Sequence, residues 1–124
     1  MTQEDKDLLF KDLCARIPYN VKCYNIKYKI DLAEEIICIT VHYNHPCVQL
    51  GTHLYKLEQV RPYLFPLSSM TKEQEEEYND LNNYELGCFP HTEKALDYLL
   101  KNHFDYRYLI DEGLAIDATG VNMY

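Results

Sequence analysis

Apolar residues along this chain recur at two spacings, and the change from one to the other divides it. Near the start, Leu9, Phe10, Leu13, Cys14 and Ile17 repeat at helical intervals and leave Lys11, Asp12 and Arg16 to water. Thr2 and Asp5 supply a helix start, with a carboxylate at the positive end of the helix dipole. Pro18 ends this helix, because its ring blocks another turn and removes a donor. Cys14 falls on the apolar stripe and reads as core.

From Val21 to Ile30 the period is two. Tyr24, Ile26, Tyr28 and Ile30 form one face, read as the inward stripe, and Cys23, Asn25, Lys27 and Lys29 form the other. Residues 31–34 then turn the chain. A second strand from Glu35 to Tyr43 carries Ile37, Ile39, Val41 and Tyr43 as its apolar stripe, and Asn44-His45-Pro46 is a turn signal. Two short strands follow, at Cys47–Leu50 and His53–Leu57, parted at Gly51-Thr52. The span predicts a small antiparallel sheet or an SH3-like barrel.

The segment from Arg61 to Glu77 is the hinge of the chain. Its two prolines make Val60–Leu67 extended or a single helical turn. Thr71 with Gln74 three residues on forms a capping box, and Glu73 to Glu77 load the first turn with negative charge. A helix from Lys72 to Leu81 follows, then loops at 82–83 and 87–90. Thr92 caps a helix through Lys101 that buries Ala95, Leu96, Leu99 and Leu100. Asp105 caps a final short helix ending at Gly113, where glycine suits the left-handed C′ position. Residues 114–116 add an edge strand. The expected class is therefore α+β: an N-terminal helix, a small antiparallel sheet or SH3-like barrel, then two or three C-terminal helices. We expect a single domain over 1–124, β-rich at about 19–60 and helical at about 68–124.

The formal net charge of −8 argues against direct nucleic-acid binding, which runs on Lys and Arg neutralising phosphates. The same charge fits a surface that docks on a basic partner. Five cysteines, at 14, 23, 38, 47 and 88, are an odd count without a Cys-x-x-Cys pair, and they read as the reduced thiols of a cytosol. The opening MTQEDKDLL lacks a basic stretch leading into an apolar run, and no segment approaches the ~18 apolar residues of a membrane span. The expectation is a cytoplasmic protein, with no membrane partner.

Three blocks carry a resemblance. KDLCARIPYNVKC at 11–23, VRPYLFPLSSMTKEQEEEY at 60–78 and NHFDYRYLIDEGLAIDA at 102–118 resemble segments of small proteins carried by phages and prophages of gut Bacteroidales. Those proteins show a KPYLRPLSSMT-like hinge and a HFDYRGLI-like tail. Phe65 stands where a basic residue is usual there, and Tyr108 where a small one is usual. The resemblance implies a setting, an accessory protein of a mobile element inside a bacterial host cell. It supplies no activity and no catalytic residue.

Candidate chemistry is sparse. The four glycines are isolated, so there is no Gly-rich phosphate loop. Cys38, His42, His45 and Cys47 are the densest set of soft ligands, but the usual Cys-x₂-Cys zinc knuckle is missing, and ordinary strand and loop side chains are the expected reading. His103, Asp105, Tyr106 and Arg107 are able to serve as acid–base machinery or a phosphate grip. The structural expectation is that Asp105 caps the following helix while His103 and Arg107 tie the loop. We expect no enzyme, no cofactor and no metal. The leading expectation is a protein that binds and inhibits a host protein, basic or nucleic-acid-binding, such as a defence effector, through the acidic helix residues Glu73, Glu75, Glu76, Glu77 and Asp80; self-association stays open. The alternative is a sponge for a nucleotide signal, using Tyr24, Tyr28, Tyr43, Lys27, Lys29, His103 and Arg107.

Overall fold

The computed structural model describes residues 1–26, 30–83, 89–121 and 124, with backbone alone at 30–33. The class is α+β: an N-terminal helix, a mixed sheet and then two helices among the described residues. Helix α1 spans Gln3–Arg16, and its start is a capping box in which the Thr2 hydroxyl accepts from the Asp5 amide. Its buried stripe is Leu9, Asp12, Leu13 and Arg16, a regular i, i+3, i+4, i+7 set. The expectation for Asp12 and Arg16 is thus overturned, since both are fully buried. Cys14, expected in the core, is exposed. The helix turns a different face inward because Asp12 and Arg16 neutralise each other and can be enclosed as a pair.

The strands are β1 (Lys22–Asn25), β2 (Ile30–His42), β3 (His45–Leu50), β4 (His53–Lys56), β5 (Val60–Pro66), β6 (Phe104–Asp105) and β7 (Ile116–Asp117). They run in the order β4-β3-β2-β1-β5-β6, with β7 also on β5. Pairings β1 to β4 and β1–β5 are antiparallel, whereas β5 pairs β6 and β7 in parallel. The sheet is therefore mixed, and no pairing among the described residues closes it into a barrel. Its parallel part comes from β6, read as the loop and cap before a helix, and from β7, which overlaps the edge strand expected at 114–116; both return to β5 from the far end of the chain.

Strand faces also differ from the periodic reading. On β1 the buried residues are Cys23 and Asn25, while Ile26 beyond its end is 40% exposed. On β2 a bulge between Ile36 and Cys38 shifts the register, so Ile36 enters the core and Ile37, expected inward, is 56% exposed. Val41 and Tyr43 are likewise exposed. The strand begins at Ile30, so the turn expected at 31–34 is strand. Tyr43 and Asn44 both take positive φ (49° and 63°), forming the tight two-residue turn that joins β2 to β3.

Helix α2 spans Lys72–Leu81 and α3 spans Glu93–Lys101, each capped by the expected threonine. The expected helix at 106–113 is a run of turns. Asp105 accepts from the Leu109 and Ile110 amides, and the Leu114 and Gly113 amides donate back to the Leu109 and Ile110 carbonyls. That is the bonding of a helix C-terminus, with Gly113 left-handed at φ 73°. Two clusters make the core. One packs α1 against the sheet around Leu13, Val21, Leu64 and Leu109, and the other packs α2, α3 and β6 around Tyr78, Leu99 and Phe104.

Candidate functional site

Beneath both clusters lies a buried charge centre. The Asp12 carboxylate accepts from Arg16 Nε at 2.7 Å and Nη2 at 3.3 Å, and Arg16 Nη2 also donates to the Phe104 carbonyl at 2.7 Å. Arg107 Nε reaches the same carboxylate at 3.3 Å. The Tyr106 ring lies between the two guanidiniums, 4.7 Å from Arg107 Cζ and 6.0 Å from Arg16 Cζ. Arg107 and Asp105 are thereby committed to holding the 103–110 turn. This fits the structural expectation for Asp105 and Arg107.

His103 has another environment. It occupies the tight exit from α3 at φ 62°, a left-handed conformation that a side chain bearing a Cβ adopts at a cost. Its carbonyl accepts from the Phe65 amide and its own amide donates to the Leu100 carbonyl. The ring lies parallel to that of Tyr124, centroids 3.6 Å apart and 15° between planes. Burial, with the Arg16 and Lys22 charges behind it, pushes the imidazole down to about 4, so it is neutral near pH 7. Its Nδ1 is buried without a hydrogen-bond partner. The Tyr124 hydroxyl donates to the Tyr63 carbonyl at 2.9 Å and accepts from the Lys22 amide at 2.8 Å, which pins the ring over the β1–β5 edge.

These rings wall a cavity of about 490 Å³ that also touches Phe65, Ser69, Gln74, Lys101 and Thr119. Phe65 tilts against Phe104 and Tyr124, at 6.3 and 6.0 Å between centroids. Lys101, Phe65 and Tyr124 were not singled out from sequence, because they come from three segments far apart in the chain. Of the alternative ligand set, His103 alone among the described residues lines this cavity. Tyr24 meets Tyr63 edge-on at 6.4 Å, and Tyr43 sits 84% exposed at the tip of the β2–β3 hairpin, so the two do not form one platform. Lys27, Tyr28 and Lys29 lie outside the described residues.

On the soft-ligand set, β2–β3 pairing puts His42 opposite His45 and Cys47 opposite Thr40. Cys38 Sγ bonds to Gln49 Oε1 and Cys47 Sγ to the His45 carbonyl. Among the described residues no group of three or more His, Cys, Asp or Glu side chains gathers to hold a metal ion.

The acidic residues of α2 behave differently. Glu73, Glu75, Glu76, Glu77 and Asp80 are all exposed, while Tyr78 on the opposite side is buried. The Tyr98 hydroxyl of α3 donates to Glu77 at 3.1 Å and fixes one end of this face. Burial, with that contact, raises the Tyr98 phenol to about 12. Helices α2 and α3 together carry seven carboxylates against three lysines, 7 − 3 = 4 excess negative charges.

Among the described residues no helix is long and apolar enough to cross a membrane. No known protein family matches the chain, nor does any curated protein or solved structure.

Proposed function

We propose that this chain is a binding protein with no chemical step of its own, an accessory protein of a phage or other mobile element. In this reading it acts in the cytoplasm of a bacterial host and blocks a basic protein there, such as a nuclease or defence effector, through the acidic face of α2. The observation that carries the reading is the exposure of all five α2 carboxylates on a helix held rigidly by its cap and by Tyr78. A fixed row of like charges gives a directional field, speeds encounter with an opposite patch and loses little entropy when bound. The likeness of the hinge and tail blocks to phage-borne proteins supports the setting.

The test compares the native chain with a variant in which Glu73, Glu75, Glu76 and Asp80 are replaced by Gln or Asn. Both are used as bait in the same host extract, with captured proteins quantified. The reading expects a basic protein held by the native chain, its recovery falling at least tenfold with the variant and falling also as salt rises from 50 to 300 mM. Equal capture of the same proteins by both baits overturns it.

A further inference from the structure

We infer that the cavity between β5, the start of α2 and the end of α3 is a binding site for a small ligand that joins a planar aromatic ring to a carboxylate or phosphate. This site is separate from the outward face of α2, and its walls come from Phe65, Ser69, Gln74, residues 101–104 and 119–120, and Tyr124. Its volume, about 490 Å³, lies within the range of small-molecule pockets, on the order of 300–1,000 Å³.

Three properties of His103 point to use instead of packing. It holds a left-handed backbone where glycine would cost nothing. It keeps a buried ring nitrogen without a partner, which an apolar side chain would avoid. It also spends its ring in a parallel stack with Tyr124 at the cavity wall. The first two features work against stability, and such features gather where a surface has a task. Burial keeps the imidazole uncharged, so the stacked pair presents a neutral aromatic plate. Phe65 tilts against Tyr124 and widens this aromatic wall, which suits the face of a flat heterocycle.

Charge selects what the ring carries. In a chain of net charge −8, the cavity wall contains Lys101 and, among the described residues, no carboxylate side chain. Lys22 Nζ stands 5.7 Å from the Tyr124 ring on the strand side, adding positive potential. Ser69 and Thr119 bring hydroxyl oxygens to the wall, their protons donated to the Pro66 carbonyl and the Asp117 carboxylate, and Gln74 comes from the first turn of α2, the positive end of that helix dipole. An anion on one end of a planar ring satisfies both halves of this wall, as in a nucleoside monophosphate or an aromatic acid.

The experiment titrates the full chain with AMP, UMP, adenosine and 4-hydroxybenzoate, following amide and ring-proton shifts by NMR and heat by calorimetry. Two variants are run beside it. Lys101→Gln changes an exposed residue, and His103→Asn keeps a residue that tolerates the left-handed backbone. The expected result is saturable binding of a ring-bearing anion with shifts at Phe65, His103 and Tyr124. Adenosine should bind at least tenfold more weakly than AMP, and each variant should lose about tenfold. Binding of AMP or UMP but not 4-hydroxybenzoate identifies a nucleotide; the reverse identifies an aromatic acid. No saturable shift at these residues with any probe up to 5 mM, or binding unchanged in both variants while they stay folded, overturns the inference.

Discussion

Replacing Asp12 by Ala is the most direct challenge to the account of how this fold is held. The change removes the single carboxylate that faces two guanidiniums. Arg107 has 18% of its side chain exposed and can turn to water, but Arg16 has none exposed and keeps only its bond to the Phe104 carbonyl. The cost is therefore dominated by one buried cation left without a counter-charge, about 3–5 kcal/mol. For 124 residues the unfolding entropy near the midpoint is on the order of 0.26 kcal/mol/K, so the loss corresponds to roughly 12–20 °C in Tm. A second variant, Asp12→Leu with Arg16→Met, removes both charges together. It should recover at least half of the loss, because the desolvation of the pair disappears with it. Urea unfolding followed by circular dichroism, with calorimetry alongside, measures both. A loss below about 1 kcal/mol for Asp12→Ala, or a double variant worse than the single, would refute the argument that the Asp12–Arg16 pair is enclosed because its charges cancel.

Protonating His103 should destabilise the fold. Its folded value, about 4, lies below the ordinary 6.5, so the unfolded chain takes up a proton first and stability is lost as pH falls from 6.5 towards 4. The difference between wild type and His103→Gln across that window should be on the order of 1 kcal/mol after allowance for solvent screening; parallel profiles contradict it. Replacing Tyr43-Asn44 by Asn-Gly, the pair best suited to two successive positive φ values, should raise stability by about 1 kcal/mol in thermal unfolding. No gain would mean that the turn is not strained. Cys14 is exposed and Cys23 buried, with burial and the Asp12 carboxylate pushing the Cys23 thiol up. Iodoacetamide followed by peptide mass spectrometry should thus label Cys14 in the native chain and Cys23 only on unfolding; equal rates contradict this placement.

The parts of the fold legible in sequence are those fixed by local chemistry. The caps Thr71 and Thr92 place α2 and α3 at the residues expected, because a hydroxyl meeting an amide three residues on is a short-range event. Faces and partners were less legible. The bulge at Ile36 to Cys38 inverts β2, so an apolar alternation that looks inward points partly out. Charge at Asp12 and Arg16 reads as solvent-facing until the carboxylate is seen between two arginines. Pro62 and Pro66 leave Val60–Leu67 open between an extended stretch and a single helical turn, and the extended form is the one found. The two prolines fall where the pairing of β5 passes from β1 to β7 and where β6 ends, positions that tolerate a missing donor. His103 was visible as a candidate, but its cavity was not, since the wall is assembled from segments that only the parallel return to β5 brings together. The α2 carboxylates were the clearest signal, because a run of Glu behind a cap leaves no face on which to hide them.

The central claim is that the α2 face docks a basic partner, and amide hydrogen exchange of the complex tests it most directly. With the captured partner bound, amides of residues 72–81 should exchange more slowly than in the free chain, while those of the β2–β3 hairpin stay unchanged. Protection confined to the hairpin or to the cavity wall, with 72–81 unaltered, would contradict it.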